Sequence, residues 1–145
     1  MNRKILRRAS TGFTLMELLI AIGIVGVLVG ISSFAIRGAQ SSARDGRRKA
    51  DLETIAVALE LYRADCGSYP STLGSSITGN CPNSRVYLDS VPVDPRPPRQ
   101  YSYSLNSGRI VLCASLEDAP IPPVNTAGCG SCGSGFACNW RVSKP

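Results

Sequence analysis

Two stretches of hydrophobic pattern organise the first half of this chain. From Phe13 to Ile36 apolar residues run almost unbroken, and Glu17 is the only charged side chain among them. At the α-helical rise per residue such a run reaches roughly 36 Å, enough to cross a bilayer. From Ala39 to Cys66 there is no proline, and Leu52, Ile55, Ala56, Leu59 and Tyr62 recur at helical spacing. The pattern predicts one long helix whose first part is greasy all round. Its second part lays an apolar face on a sheet and turns Arg48, Lys49, Glu53, Glu60 and Arg63 to water. Asp45-Gly46 is a place for a bend, Gly67 suits the position just past the helix end, and Pro70 prevents resumption.

The second half reads as a small sheet. Residues Ser71 to Pro98 are rich in Ser, Gly, Asn and Pro and predict a connecting loop, with a brief apolar stop at Val86-Tyr87-Leu88. Tyr101, Tyr103 and Leu105 alternate with polar residues, as in a half-buried strand. Asn106-Ser107-Gly108 is a turn, Ile110 to Ala114 a return strand, and Asn139 to Val142 a last short strand. Aromatics in strands usually pack in a core, which is the reading preferred for Tyr101, Tyr103 and Trp140 over a surface adhesive patch.

Charge sharpens the picture at the N-terminus. The net charge is +6, with 16 basic and 10 acidic residues. Without Arg3, Lys4, Arg7 and Arg8 ahead of the apolar run, 12 basic residues face 10 acidic ones, a net of +2. Such a near-neutral remainder does not read as a general nucleic-acid binder. Arg44, Arg47, Arg48 and Lys49 form a basic cluster after the run, read as its solvated flank rather than as a grip for DNA or lipid head groups. With basic residues on both sides, charge alone does not orient the segment. A carboxylate such as Glu17 costs about 2.5–3.5 kcal/mol at membrane depth, so it calls for a partner. An ordinary secretory signal has a shorter apolar core, about 7–15 residues, followed by small residues at the cut. Ser33-Phe34-Ala35-Ile36-Arg37 offers no such site.

All six cysteines, Cys66, Cys81, Cys113, Cys129, Cys132 and Cys138, lie beyond the apolar run. In a small exported domain an even number reads as a disulfide framework with 15 pairings open. Proximity favours Cys66 with Cys81, and Cys113 would reach one of the last three. A short Cys129–Cys132 bridge is another option. The Cys129-Gly130-Ser131-Cys132 spacing also allows a thiol–disulfide redox pair, and Cys113, Cys129, Cys132 and Cys138 allow a four-cysteine zinc site. No histidine occurs and no Ser/Asp pair has a catalytic spacing, so enzyme activity finds no support.

Gly12-Phe13-Thr14-Leu15-Met16-Glu17, at the junction of a basic segment and the apolar run, resembles the class III signal of type IV prepilins and type II secretion pseudopilins. Gly26 is similar to a mid-anchor glycine of that family. Tyr62 to Pro70 resembles the end of the long helix in major pseudopilins, and Val91-Pro92-Val93-Asp94-Pro95 with Tyr101 and Tyr103 resembles their proline-rich segment. Arg96-Pro97-Pro98 stands where the usual Trp-Gly-Asn would be. The resemblance implies cleavage after Gly12 by a prepilin peptidase and methylation of the new amino group of Phe13. It gives Glu17 the role of pairing with the Phe13 ammonium of a neighbouring subunit. It also implies calcium in a C-terminal loop, for which Glu117 and Asp118 are the only acids after Asp94. Apart from that ion no cofactor is expected.

The expected fold class is therefore α+β and pilin-like: a long N-terminal helix, half transmembrane and half soluble, packed on a small antiparallel β-sheet. The expected organisation is a leader at 1–12, a transmembrane or filament-core segment at 13–36, and an exported domain at 37–145. The function implied is that of a structural filament subunit, in a type II secretion pseudopilus or type IV pilus-like assembly. Its partners would be the peptidase, copies of itself, minor pilins and an assembly platform of the inner (cytoplasmic) membrane. The C-terminal domain would lie outside the cytoplasm on a single-pass anchor. Two other readings stay open: a pilin for adhesion, motility or DNA uptake, and a single-pass membrane protein whose cysteine-rich domain forms no filament.

Overall fold

The structure is a computed structural model and describes residues 12–145. The basic leader with Arg3, Lys4, Arg7 and Arg8 lies outside the described residues. The order of elements is a helix followed by five strands, an α+β architecture of the expected pilin-like kind. The chain divides into two compact units, one ending at Gly38 and one over Ala39–Pro145.

Helix α1 spans Leu15–Cys66. It starts at Thr14, whose Oγ1 accepts the Glu17 backbone N–H at 3.2 Å, so a side chain satisfies a donor that the first turn leaves open. At the other end the Gly67 N–H donates to the Arg63 carbonyl at 2.7 Å, and Pro70 follows. Helical structure continues through Asp45-Gly46. In the first unit Leu15–Ser32 has a mean hydropathy of 2.4, and every residue of that stretch is exposed. It is long and apolar enough to cross a membrane.

In the second unit the core lies on one stripe of α1. Leu52, Ile55, Ala56 and Leu59 are completely buried, as their spacing predicts. Against them pack Ile110, Leu112 and Ala114 of β4 and Val142 of β5. Strands β3 (Ser102–Asn106), β4 (Arg109–Ala114) and β5 (Trp140–Lys144) form an antiparallel sheet in the order β3-β4-β5. Asn106 pairs with Arg109 around Ser107 and Gly108, both at positive φ (51° and 78°). Two left-handed residues in a two-residue turn match the twist of the strands, and Gly108 adopts that conformation without a side-chain clash.

Strand β4 is buried on both faces. Ile110, Leu112 and Ala114 face α1, and by the alternation of a strand Val111 and Cys113 face the other way, onto Cys129, Cys132 and Cys138. Three disulfides hold this arrangement: Cys66–Cys81, Cys113–Cys129 and Cys132–Cys138, with Cα separations of 5.0, 5.8 and 5.2 Å. The first two agree with the expected reach of Cys66 and Cys113. A Cys129–Cys132 bridge is not formed. Cys113 points away from the helix and meets Cys129, which leaves Cys132 to close the six-residue loop to Cys138.

The segment between Ser71 and Pro98 holds more structure than its composition predicts. Strands β1 (Ile77–Asn80) and β2 (Ser84–Leu88) form a separate antiparallel hairpin. Ile77-Thr78-Gly79-Asn80 combines two strand formers with two residues depleted in strands, so its propensity hides it. The Cys66–Cys81 bridge ties the turn of this hairpin to the end of α1.

Candidate functional site: the N-terminal segment and a buried ion cluster

The residues expected to direct processing and assembly lie just before and in the first turn of α1. Gly12 and Phe13 precede the helix in irregular backbone, and Phe13 is 82% exposed. Glu17 sits in the first turn, also exposed, where a carboxylate complements the partial positive charge of the helix N-terminus. Thr14 at the cap and Glu17 three residues on have the spacing of a capping box. That structural role for Thr14 was not anticipated, although the Thr-x-x-Glu spacing signals it. Downstream, Leu18, Leu19, Ile22, Val25 and Val29 are each more than half exposed. A surface of this kind is stable in lipid or against other apolar helices, not in water.

The second notable site lies in the Ala39–Pro145 unit. Arg48, expected to face water, is fully buried. It lies four residues before Leu52 and so shares the core stripe of the helix. Burying a guanidinium demands anionic partners, and Arg48 has three. Its Nε and Nη2 donate to the two Asp94 carboxylate oxygens at 2.8 and 2.9 Å, and its Nη1 donates to Asp45 at 2.6 Å and Glu117 at 3.0 Å. Arg44 grips Glu117 through two bonds of 2.6 Å, and Arg96 adds one at 3.1 Å. Asp45 in turn accepts the backbone N–H groups of Glu117 and Asp118, both at 2.9 Å. The bonds from Arg44 and then Arg48 outweigh burial and hold the Glu117 carboxyl down at about 2. Arg48 is held more firmly protonated than an ordinary arginine, first by its bonds to Asp94.

The basic cluster expected as a solvated flank is thus taken apart. Arg44 and Arg48 turn inward to carboxylates, Lys49 lies 4.4 Å from the centre of the Trp140 ring, and Arg47 stays exposed beside Asp51. The aromatic residues are partly buried against the core. Tyr101 donates its hydroxyl to Asp51 at 2.7 Å, and Tyr103 donates to the Pro70 carbonyl at 2.5 Å.

These placements bear on the chemistries that the cysteines and acids left open. Cys129 and Cys132 belong to different bridges, so the pair is not a redox couple, and Cys113 and Cys138 are bridged as well. No thiolate of the four remains for zinc. The acids do not fit a calcium ion either. All six carboxylate oxygens of Asp45, Asp94 and Glu117 already accept hydrogen bonds from arginine or backbone donors. Asp118 accepts the Ser41 hydroxyl at 3.1 Å.

Comparison with known proteins gives two family matches. The family described as type II secretion system (T2SS), protein G matches residues 35–115, and the prokaryotic N-terminal methylation motif matches residues 7–33. Among named proteins, the type II secretion system core protein G of Pseudomonas aeruginosa is 35% identical over 99 residues, covering 61% of this chain and 70% of that protein. The proteins of the same name in Aeromonas hydrophila and Escherichia coli K12 are 30% and 29% identical. The matches cover 46% and 58% of this chain and 46% and 65% of those proteins, so the chain spans about half to two thirds of their length. No solved structure matches at a significant level.

Proposed function

Since this chain belongs to the type II secretion system protein G family and is a structural pseudopilin, we propose how its N-terminal segment is processed and assembled. A prepilin peptidase cuts between Gly12 and Phe13, and the new amino group of Phe13 is methylated. A glycine before the cut leaves room for an extended backbone in a tight active site. The exposed, irregular backbone at Gly12 and Phe13 supports this reading.

Before assembly, the helix from Phe13 to Ile36 anchors the subunit in the inner membrane as a single pass. The disulfide-stapled domain lies outside the cytoplasm, where such bridges persist. On assembly the apolar surface of Leu15–Ser32 exchanges lipid for the equally apolar flanks of neighbouring helices. The exchange is nearly neutral in hydrophobic free energy, so register must come from something else. Glu17 supplies it by pairing with the Phe13 ammonium of an adjacent copy. A lone carboxylate and a lone ammonium, each costly in an apolar medium, then neutralise each other.

The observation that carries this reading is the coincidence of one exposed acid, capped into the first turn, with a fully exposed apolar helix beginning two residues after the proposed cut. Other copies of the chain, minor pilins and the inner-membrane assembly platform are the partners it implies. Intact-mass analysis of the mature protein tests the processing. The expected mass is that of residues 13–145 plus one CH2 for the methylation and minus six hydrogens for three disulfides. A mass that retains Met1 or Asn2 would refute the cleavage.

A further inference from the structure

We propose that the guanidinium of Arg48 takes the structural place of a divalent cation, so that this domain holds its C-terminal segment without calcium. The proposal stands on the ion cluster alone and does not depend on filament assembly. A structural cation earns its role by joining segments distant in sequence through shared carboxylates. Arg48 does this for two segments beyond its own helix, the proline-rich segment through Asp94 and the segment after β4 through Glu117, with Asp45 one turn back on α1 as its third carboxylate. Its partners lie 3, 46 and 69 residues away along the chain.

The geometry suits a planar fork rather than a spherical ion. Asp94 receives two near-parallel bonds on one edge of the guanidinium, and Asp45 and Glu117 share the Nη1 corner. Neither Arg48 nor Asp94 has any side-chain exposure. Glu117 is also clamped by Arg44 and touched by Arg96. A calcium ion entering here would compete with the guanidinium groups of Arg44, Arg48 and Arg96 and would have to break at least two charge-assisted bonds per carboxylate. The Cys113–Cys129 and Cys132–Cys138 bridges tie down the rest of the segment, which removes the other task that a loop-bound cation performs.

The test uses the full chain in detergent at neutral pH, by thermal unfolding with and without excess EGTA, and with millimolar calcium added. The melting temperature is expected to stay within about 1 °C across the three conditions, whereas Arg48→Ala lowers it by on the order of 10 °C. Arg48→Lys keeps the charge but loses the fork; it is expected to fold, to melt between the two, and to gain nothing from calcium. It carries the test by itself should Arg48→Ala fail to fold. A drop of several degrees in EGTA, a saturable calcium-binding isotherm for the wild type, or an Arg48→Lys variant that melts like the wild type would overturn the proposal.

Discussion

Arg48 and Asp94, 46 residues apart, meet in a bidentate pair at 2.8 and 2.9 Å, with neither side chain exposed. The pair fixes the proline-rich segment onto the helix, and Asp94 accepts the Arg96 backbone N–H at 2.9 Å as well. Removing one member of a buried pair leaves the other without compensation. Asp94→Ala is therefore expected to cost about 3 kcal/mol of stability, the low end of the usual range because Asp45 and Glu117 remain to Arg48. Denaturant unfolding measures it, and a loss under 1 kcal/mol would show that the pair contributes specificity rather than stability.

Glu117 makes the domain sensitive to acid. Its folded pKa is depressed from 4.5 to about 2, first by its bonds from Arg44. A depressed carboxyl stabilises the fold above its unfolded pKa and loses that contribution as pH falls toward its folded value. Stability is therefore expected to be flat above about pH 5 and to decline between about pH 4.5 and 2, by on the order of 3 kcal/mol. Glu117→Gln should flatten that decline while lowering stability at pH 7. An unchanged acid limb in the variant would assign the decline to other groups.

The disulfides should differ in weight according to the loops they close. Cys113–Cys129 closes 16 residues and Cys132–Cys138 closes 6. Chain entropy assigns about 3 kcal/mol to the first and about 2 to the second. Replacing each pair by alanines and comparing melting temperatures checks the order. The Cys113–Cys129 pair has the further burden that Cys113 lies within β4 and is completely buried.

Gly133 is held against other backbone. A Cβ there would stand 2.3 Å from the Pro98 carbonyl oxygen, and its φ is +113°. Gly133→Ala is expected to break the bridge between Arg99 and Gly133 and to destabilise the Cys132–Cys138 loop by about 1–3 kcal/mol. Faster proteolysis between residues 130 and 138 is the readout, and wild-type resistance would contradict it.

How far the sequence reaches depends on how local the determining interactions are. Leu52, Ile55, Ala56 and Leu59 were readable because burial on a helix repeats at a fixed spacing. Gly12, Phe13 and Glu17 could be singled out as candidates because they lie in one contiguous segment. Arg48 was misassigned because charge normally marks the solvent face, while its partners Asp94 and Glu117 come from distant segments. Its position one turn before Leu52 was the available signal. The pairing of Cys129 was hidden by the nearness of Cys132, although strand alternation already sends Cys113 away from Leu112 and toward the loop. Strand β1 was lost to the weak propensity of Gly79 and Asn80.

The proposed counter-charge for Glu17 comes from polymerisation. Its most direct test is to express Glu17→Val in place of the wild type and count filaments, with N-terminal sequencing of the same subunit as control. Filaments are expected to vanish or fall at least tenfold while the variant is still cut before Phe13, since valine leaves the apolar exchange intact and removes only the register. A properly processed variant that builds filaments in normal number would contradict the account.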